Sequence, residues 1–257
     1  LGDGAVVATA SGEGEPGAPL APDATFHIGS MTKLFTAALV MQLDQEGALS
    51  LDDTIDRWFP AAPNGGAITV RMLLQHESGL DELDFDLVGH VAPQELIDDV
   101  FTRPPVFAPG TEYEYLNAGY IMLGRIAELA AETPYAELVD ARFIEPLGLT
   151  STYLDGEGTG PEAVDGFVLV CDAGEGADCA KQFGTVEHQE ASPQWTGAWS
   201  AGAMVSSARD QAVWIRALVG GDVVGGQHLE QMIELTPLSS EFYAATYDAA
   251  GVPAVQL

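Results

Sequence analysis

Residues 27–43, HIGSMTKLFTAALVMQL, constrain this chain more than any other stretch. Leu34, Phe35, Ala38, Leu39 and Gln42 recur at helical spacing, and Gly47 is a natural stop, so the pattern predicts a helix from about Met31 to Glu46. Inside its apolar part stands Lys33, one of two lysines in 257 residues, the other being Lys181. A lysine kept for solubility belongs on a hydrated face, not next to Leu34-Phe35. Ser30 lies three positions earlier, which on a helix places the two β-carbons about 5–6 Å apart on one face.

That spacing permits two readings. In the first, Ser30 caps the helix and Lys33 is a surface cation. In the second, Ser30 is a nucleophile and Lys33 its activator, because a serine hydroxyl needs a base or a nearby cation to attack. The helix N-terminus adds backbone N–H groups and a dipole that favour developing negative charge. Downstream, Tyr115-Leu116-Asn117 sits on a loop just before a second amphipathic run, AGYIMLGRIAELAAE at 118–132. A tyrosine there can exchange a proton and an asparagine can hold a substrate amide. Taken singly, they also read as a loop aromatic and a helix N-cap.

Competing chemistries find no footing in the sequence. There is no Gly-x-Ser-x-Gly elbow, no phosphate loop of the Gly-x4-Gly-Lys type and no plausible dinucleotide fingerprint. The five histidines (His27, His76, His90, His188, His228) have no metal-ligand spacing, so neither a metal nor another cofactor is expected. With 39 acids against nine bases, a net charge of −30 argues against nucleic acid and anionic membranes, both of which need clustered Lys/Arg. It fits a strongly hydrated surface suited to high salt, with an acidic cation-recruiting site as the other reading. No apolar stretch has the length of a membrane span.

Cys171 and Cys179 flank a glycine- and acid-rich loop. A local disulfide closing a hairpin would contribute about 2–3 kcal/mol; two free thiols, or weak calcium binding by Asp172, Glu175 and Asp178, are the alternatives. If the disulfide forms, the compartment is extracellular, periplasmic or cell-surface. Further elements are expected as a strand at 5–9, short helices at 68–80 and 94–102, a helix begun by a Thr133-Pro134 cap and running to about Phe143, strand-and-turn material at 165–190, and a helix within 200–221. No repeat, linker or boundary divides the chain, which reads as one domain over 1–257, helical at roughly 48–195 with flanks of α/β character.

The stretches FHIGSMTKLFTAALVMQLDQEGALSLDDTIDRWFP, ITVRMLLQHESGL, FAPGTEYEYLNAGYIMLGRIAE, FIEPLGLTSTYL and SAGAMVSSARDQAVWI together resemble the serine β-lactamase and penicillin-binding-protein superfamily. The similar branch holds class C β-lactamases, D-alanyl-D-alanine carboxypeptidases and related esterases. The resemblance implies a β-lactamase/transpeptidase-like α/β fold, with an antiparallel sheet region and a helical region, and no cofactor. It implies Ser30 as the acylated nucleophile, Lys33 as its partner and Tyr115 as general acid/base. Asn117 would orient substrate and Lys33, and the Ser30 N–H would form half of an oxyanion hole. His76, Ser78 and Gly79 read as structural, while Trp199, Ser200 and Gly202 could approach the cleft.

The family's third motif, Lys-Thr-Gly or His-x-Gly on a core strand, would follow GVPAVQL and does not occur anywhere after Tyr115-Leu116-Asn117 in these 257 residues. The expectation is therefore a fragment cut at both ends, with most of the central sheet outside it and no activity alone. The implied substrate is a D-Ala-D-Ala peptide or a β-lactam, with a small ester as the rival and a non-catalytic penicillin-binding sensor as a further reading. The field of the acidic protein should keep Lys33 charged, whereas burial should neutralise it and make it the base itself.

Overall fold

The computed structural model describes residues 6–15, 17–164, 166–170, 185–189 and 197–249. Cys171, Cys179 and Lys181, together with the acids between the cysteines, lie outside the described residues, as does the proposed disulfide.

Helix α1, Thr32–Gln45, forms the centre. It is buried almost all round, Lys33 included, as expected of a helix without a polar face. Gly47 ends it with φ +74°, the left-handed turn that glycine adopts without a Cβ penalty. Around α1 the chain forms α2 (Val70–Leu74), α3 (Pro93–Val100), α4 (Asn117–Ala131), α5 (Tyr135–Val139), α6 (Glu145–Leu147), α7 (Trp199–Gly202), α8 (Ala208–Gly220), α9 (Gly226–Ile233) and α10 (Pro237–Ala249). α1 packs on α4, α7 and α9, and α4 packs on α2, α3 and α7. The α4–α7 approach is close: a Cβ at Gly124 would lie 2.3 Å from Ser200 Oγ. Behind Lys33 the core is aromatic, with Phe35 stacked on Trp214 at 3.9 Å and Phe143 edge-on to Phe35 and tilted against Trp214.

The strands are short: β1 (Glu13–Glu15), β2 (Ala18–Pro19), β3 (Thr25–His27), β4 (Tyr153–Leu154), β5 (Gly166–Val170), β6 (Thr185–Gln189) and β7 (Met204–Ser207). β1 pairs with β2 and β5 with β6, while β3, β7 and β4 form an antiparallel sheet with β7 central. In it Thr25 faces Ser207 and Tyr153 faces Val205. This sheet positions the site. β3 runs directly into Ile28-Gly29-Ser30 and α7 runs directly into β7, so their pairing sets the start of α1 beside α7. The bond from Ile28 N–H to Met204 O at 2.9 Å extends that registration to the doorstep of Ser30.

Two local expectations need correction. Residues 6–10 form no strand and have no ladder partner among the described residues; the pairing occurs later, at β1 and β2. The Thr133-Pro134 cap also fails. The first helical residue is Tyr135, whose N–H is satisfied by Glu128 Oε1 at 2.9 Å reaching back from α4, while Thr133 Oγ1 donates to Ala131 O. Beyond Val139 the helix loosens to a π turn at Asp140–Ile144, so Phe143 lies in that turn.

Candidate active site

Gly29, with φ +52°, opens a single 3-10 turn, Gly29–Met31, that carries Ser30 at the head of α1. First-turn N–H groups have no intrahelical acceptor, so the Ser30 N–H is available to a developing oxyanion. Ser30 is exposed, whereas Lys33, one turn deeper, is 6% exposed. The surface-cation reading of Lys33 therefore does not describe this molecule.

Lys33 Nζ donates to Ser30 Oγ at 3.2 Å, to Asn117 Oδ1 at 2.8 Å and to the Ala201 carbonyl at 2.8 Å. Three donors meet three acceptors, from the start of α1, the start of α4 and α7. Burial, the largest influence, holds the amine down at about 8, against the opposing pull of the nearby Glu82 carboxylate. Of the two expectations for Lys33, burial outweighs the acidic field.

Tyr115 OH donates to Ser30 Oγ at 2.7 Å, so the serine oxygen is approached by both the phenol and the amine. Burial raises the Tyr115 phenol above its ordinary value; the Ser30 bond works the other way, and the charges of Glu82 and Tyr243 add to the rise. Lys33 Nζ also lies 4.9 Å from the Tyr115 ring centroid and 5.4 Å from that of Tyr120, within cation–π range.

The turn HESGL, 76–80, holds Tyr115 in place. Its backbone is bonded to the incoming loop by Val106 N–H to Gly79 O, Gly110 N–H to Glu77 O and Glu114 N–H to His76 O, at 2.8–3.0 Å. The approach demands a glycine at position 79, where φ is +71° and a Cβ would lie 2.2 Å from Phe107 O. His76, itself at φ +61°, stacks on Tyr115 at 4.5 Å and accepts the Leu116 N–H on Nδ1 at 3.0 Å. Burial, then the charge of Lys33, push the imidazole down to about 4, against that backbone bond. It is neutral at physiological pH, with its proton on Nε2.

Two groups escape sequence reasoning. The Ala201 carbonyl has no side-chain signature, and Glu82 lies between motifs. Glu82 accepts from Leu83 N–H, Asn117 N–H, Asn117 Nδ2–H and Ala118 N–H, all within 3.1 Å. Of the residues expected near the cleft, Gly202 lines the cavity beside Ser30, whereas Ser200 is fully buried and bonds Tyr120 O. Trp199 is buried with φ +39°, and its indole donates to Glu157 at 3.0 Å. The cavity, of 210 Å³, is walled by Leu83, Phe85, Val88, Ala198 and Ala201, with Ser30 and Asn117 at its polar edge. No cluster of three metal-ligating side chains occurs among the described residues, and no described helix is long and apolar enough to cross a membrane.

A Ser-x-x-Lys pair at the head of a buried helix, crossed by a Tyr-x-Asn loop and backed by a small antiparallel sheet, defines the serine β-lactamase/transpeptidase fold. The chain belongs to the Beta-lactamase family, whose family model matches residues 1–254. A putative penicillin-binding protein, PbpX of Bacillus subtilis, is 26% identical over 89% of the chain and 54% of its own length. Esterase EstB of Burkholderia gladioli is 31% identical over 52% of the chain and 40% of its length. The crystal structure of D-amino acid amidase from Ochrobactrum anthropi SV3, complexed with D-phenylalanine, superposes with TM-score 0.74 and 30% identity, over 85% of this chain and 64% of that one. The chain spans between 28% and 54% of the length of the curated relatives it matches.

Proposed function

We propose that this protein is a serine hydrolase that cleaves an ester or amide through an acyl-enzyme on Ser30. The observation that carries the reading is the convergence of Tyr115 OH and Lys33 Nζ on one serine oxygen, at 2.7 and 3.2 Å. Of the three partners of Lys33, Asn117 Oδ1 and Ala201 O have no proton to give, whereas Ser30 has one. When the amine is neutral its lone pair therefore turns to Ser30 and receives the hydroxyl proton as the oxygen attacks the carbonyl. Tyr115, held protonated by its raised pKa, donates to the leaving alkoxide or amine, and the proton on Lys33 returns to the Tyr115 oxygen. Water then cleaves the acyl-serine ester by the same exchange. The Ser30 N–H receives the oxyanion in both halves.

The cavity wall of Leu83, Phe85, Val88, Ala198 and Ala201 supports an apolar acyl group of modest size. The net charge of −30 disfavours the approach of anions, so a neutral or cationic substrate fits better. The esterase and the D-amino acid amidase among the similar proteins are in keeping with that class. The penicillin-binding relative, aligned over 89% of the chain, supports a second reading: a D-Ala-D-Ala peptide or β-lactam. A place outside the cytoplasm is proposed with the Cys171–Cys179 disulfide, and both fail if the two thiols of the protein, purified from its native source without reductant, react freely under denaturing conditions.

The test is mass spectrometry of Ser30 after exposure to p-nitrophenyl butyrate, a fluorescent penicillin or an acyl-D-Ala-D-Ala peptide, alongside S30A. Acylation of Ser30 by the ester with steady turnover supports the first reading. A stable penicilloyl adduct without turnover supports the sensor instead. No adduct with any of the three overturns the acyl-enzyme.

A further inference from the structure

We propose that Glu82 is a positioning residue that sets which way the Asn117 amide faces, and thereby points the Lys33 lone pair at Ser30. The inference rests on the acyl-enzyme reading above.

An asparagine amide can be turned by half a rotation at little steric cost, and which end faces a partner is decided by its hydrogen bonds. Here one end meets Lys33 Nζ at 2.8 Å and the other meets Glu82 Oε2 at 2.9 Å. Glu82 offers only acceptors at this point. Its Oε1 and Oε2 are already surrounded by N–H donors from Leu83, Asn117 and Ala118, at distances of 2.8–3.1 Å. These three donors are backbone N–H groups, fixed whichever way the amide turns, and both carboxylate oxygens face them at the start of α4, where the dipole favours negative charge. Asn117 must then present Nδ2–H to Glu82 and Oδ1 to Lys33.

The consequence falls on the nucleophile. With Oδ1 towards Lys33, two of the three amine partners are obligate acceptors, so the third direction, at Ser30, is where a lone pair finds a proton. With the amide turned, Nδ2–H would face the neutral amine and occupy its lone pair, leaving Ser30 without a base. Glu82 therefore acts two contacts away from the reacting oxygen. Its own position is set by the backbone: its carbonyl accepts from Arg103 Nη2 at 2.6 Å, and Arg103 also pairs with Asp81 and Asp99.

The charged and titratable groups facing Lys33 are Glu82 from the 76–82 turn and its extension, His76 from the same turn, Tyr115 from the loop, and Tyr120 from α4. His76 is neutral above about 4 and the phenols are protonated, so Glu82 is the charge whose removal the amine feels across neutral pH.

The experiment is burst acylation by p-nitrophenyl butyrate from pH 6 to 10 in wild type, E82Q, E82D, N117A and the double variant E82Q/N117A. In E82Q the plateau rate should fall about ten- to a hundredfold, and the midpoint of the pH profile should move below that of wild type. E82D should regain part of the rate, and E82Q should cost nothing further on the N117A background. A residue that merely supports the fold, or acts on Lys33 by its charge alone, would add its loss to that of N117A, and that result overturns the proposal. Should E82Q not fold, the wild-type amide gives the answer directly. Cross-relaxation from the Asn117 Nδ2 protons to the Glu82 γ-methylene is expected, and to the Lys33 ε-methylene overturns it. That measurement needs no turnover, so an unreactive Ser30 would sink the acyl-enzyme while leaving the Glu82–Asn117–Lys33 relay to be judged on its own.

Discussion

Lys33 Nζ lies 2.8 Å from the carbonyl oxygen of Ala201, across 168 positions of sequence. The bond joins the start of α1 to α7 inside the protein, and it makes one amine both a chemical group and a structural tie. Burying it has an energetic consequence. An amine whose native pKa lies below its unfolded value binds fewer protons folded than unfolded between the two values, so stability rises with pH across that window. For Lys33 the window runs from about 8 up to 10.5, and below it the cost of holding the charge is about 3 kcal/mol.

K33M removes that cost but leaves Asn117 Oδ1 and Ala201 O without their donor, at about 1–3 kcal/mol each. The two effects offset at neutral pH, so urea unfolding of K33M should resemble wild type there. At pH 10, wild type regains most of its penalty and K33M does not, so the variant should fall behind by about 2–3 kcal/mol relative to its standing at pH 7. Other titrating groups are common to both proteins and cancel. A difference that stays flat with pH would mean that Lys33 is not held below its unfolded value.

In the proposed acyl-enzyme reaction the same amine also sets the rate. If neutral Lys33 takes the Ser30 proton, kcat/KM for acylation should rise about tenfold per pH unit below 8 and level off above it. The raised Tyr115 phenol places any alkaline fall beyond the ordinary tyrosine range. An acid limb centred near 6, measured with a non-ionising ester, would assign the base elsewhere.

His76 is the support of Tyr115 rather than a reacting group, since it stacks on the phenol and accepts the Leu116 N–H. H76A loses the ring and the acceptor and places an alanine at φ +61°, so acylation should fall about ten- to a hundredfold. H76N tolerates that backbone region and keeps a side-chain acceptor, so it should retain more activity and more of the melting temperature than H76A. Equal losses in both variants would show that neither the backbone nor the acceptor matters.

Much of this site is legible in the sequence because much of it is local. Ser30 and Lys33 share a helical turn, and Tyr115 and Asn117 straddle a helix start, so spacing alone brackets their geometry. Glu82 and the Ala201 carbonyl become partners of the site only through tertiary packing, and a backbone oxygen leaves no mark in composition. The Thr133 cap fails for the same reason: Glu128, from the preceding helix, outcompetes a local hydroxyl for the Tyr135 N–H. The expected strand at 5–9 shows the limit from the other side, since a β pattern specifies a strand only where a partner completes its ladder. α1 is the strongest case in favour. Ten buried positions in fourteen leave it no place but the core, and Phe35 stacked on Trp214 holds it there. F35A should therefore cost about 3–5 kcal/mol in chemical denaturation, and a loss under 1 kcal/mol would contradict that packing.

Substrate choice should follow the cavity beside Ser30. Val88 and Ala198 both line its 210 Å³, and neither takes part in the proton-transfer network. Filling the space with A198L removes room for an acyl chain without touching Lys33, Tyr115 or Glu82. Enlarging it with V88A does the reverse. A misfit of one methylene in an apolar pocket is worth about 1–3 kcal/mol in the transition state, or about ten- to a couple of hundredfold in kcat/KM. With p-nitrophenyl acetate, butyrate and hexanoate compared, A198L should lower the hexanoate-to-acetate ratio by at least tenfold, and V88A should raise it. Acetate itself should change little, because it barely enters the cavity and its carbonyl is handled by Ser30 and the helix N-terminus. Unchanged ratios in both variants would place the acyl chain elsewhere and remove the apolar wall as the basis of specificity.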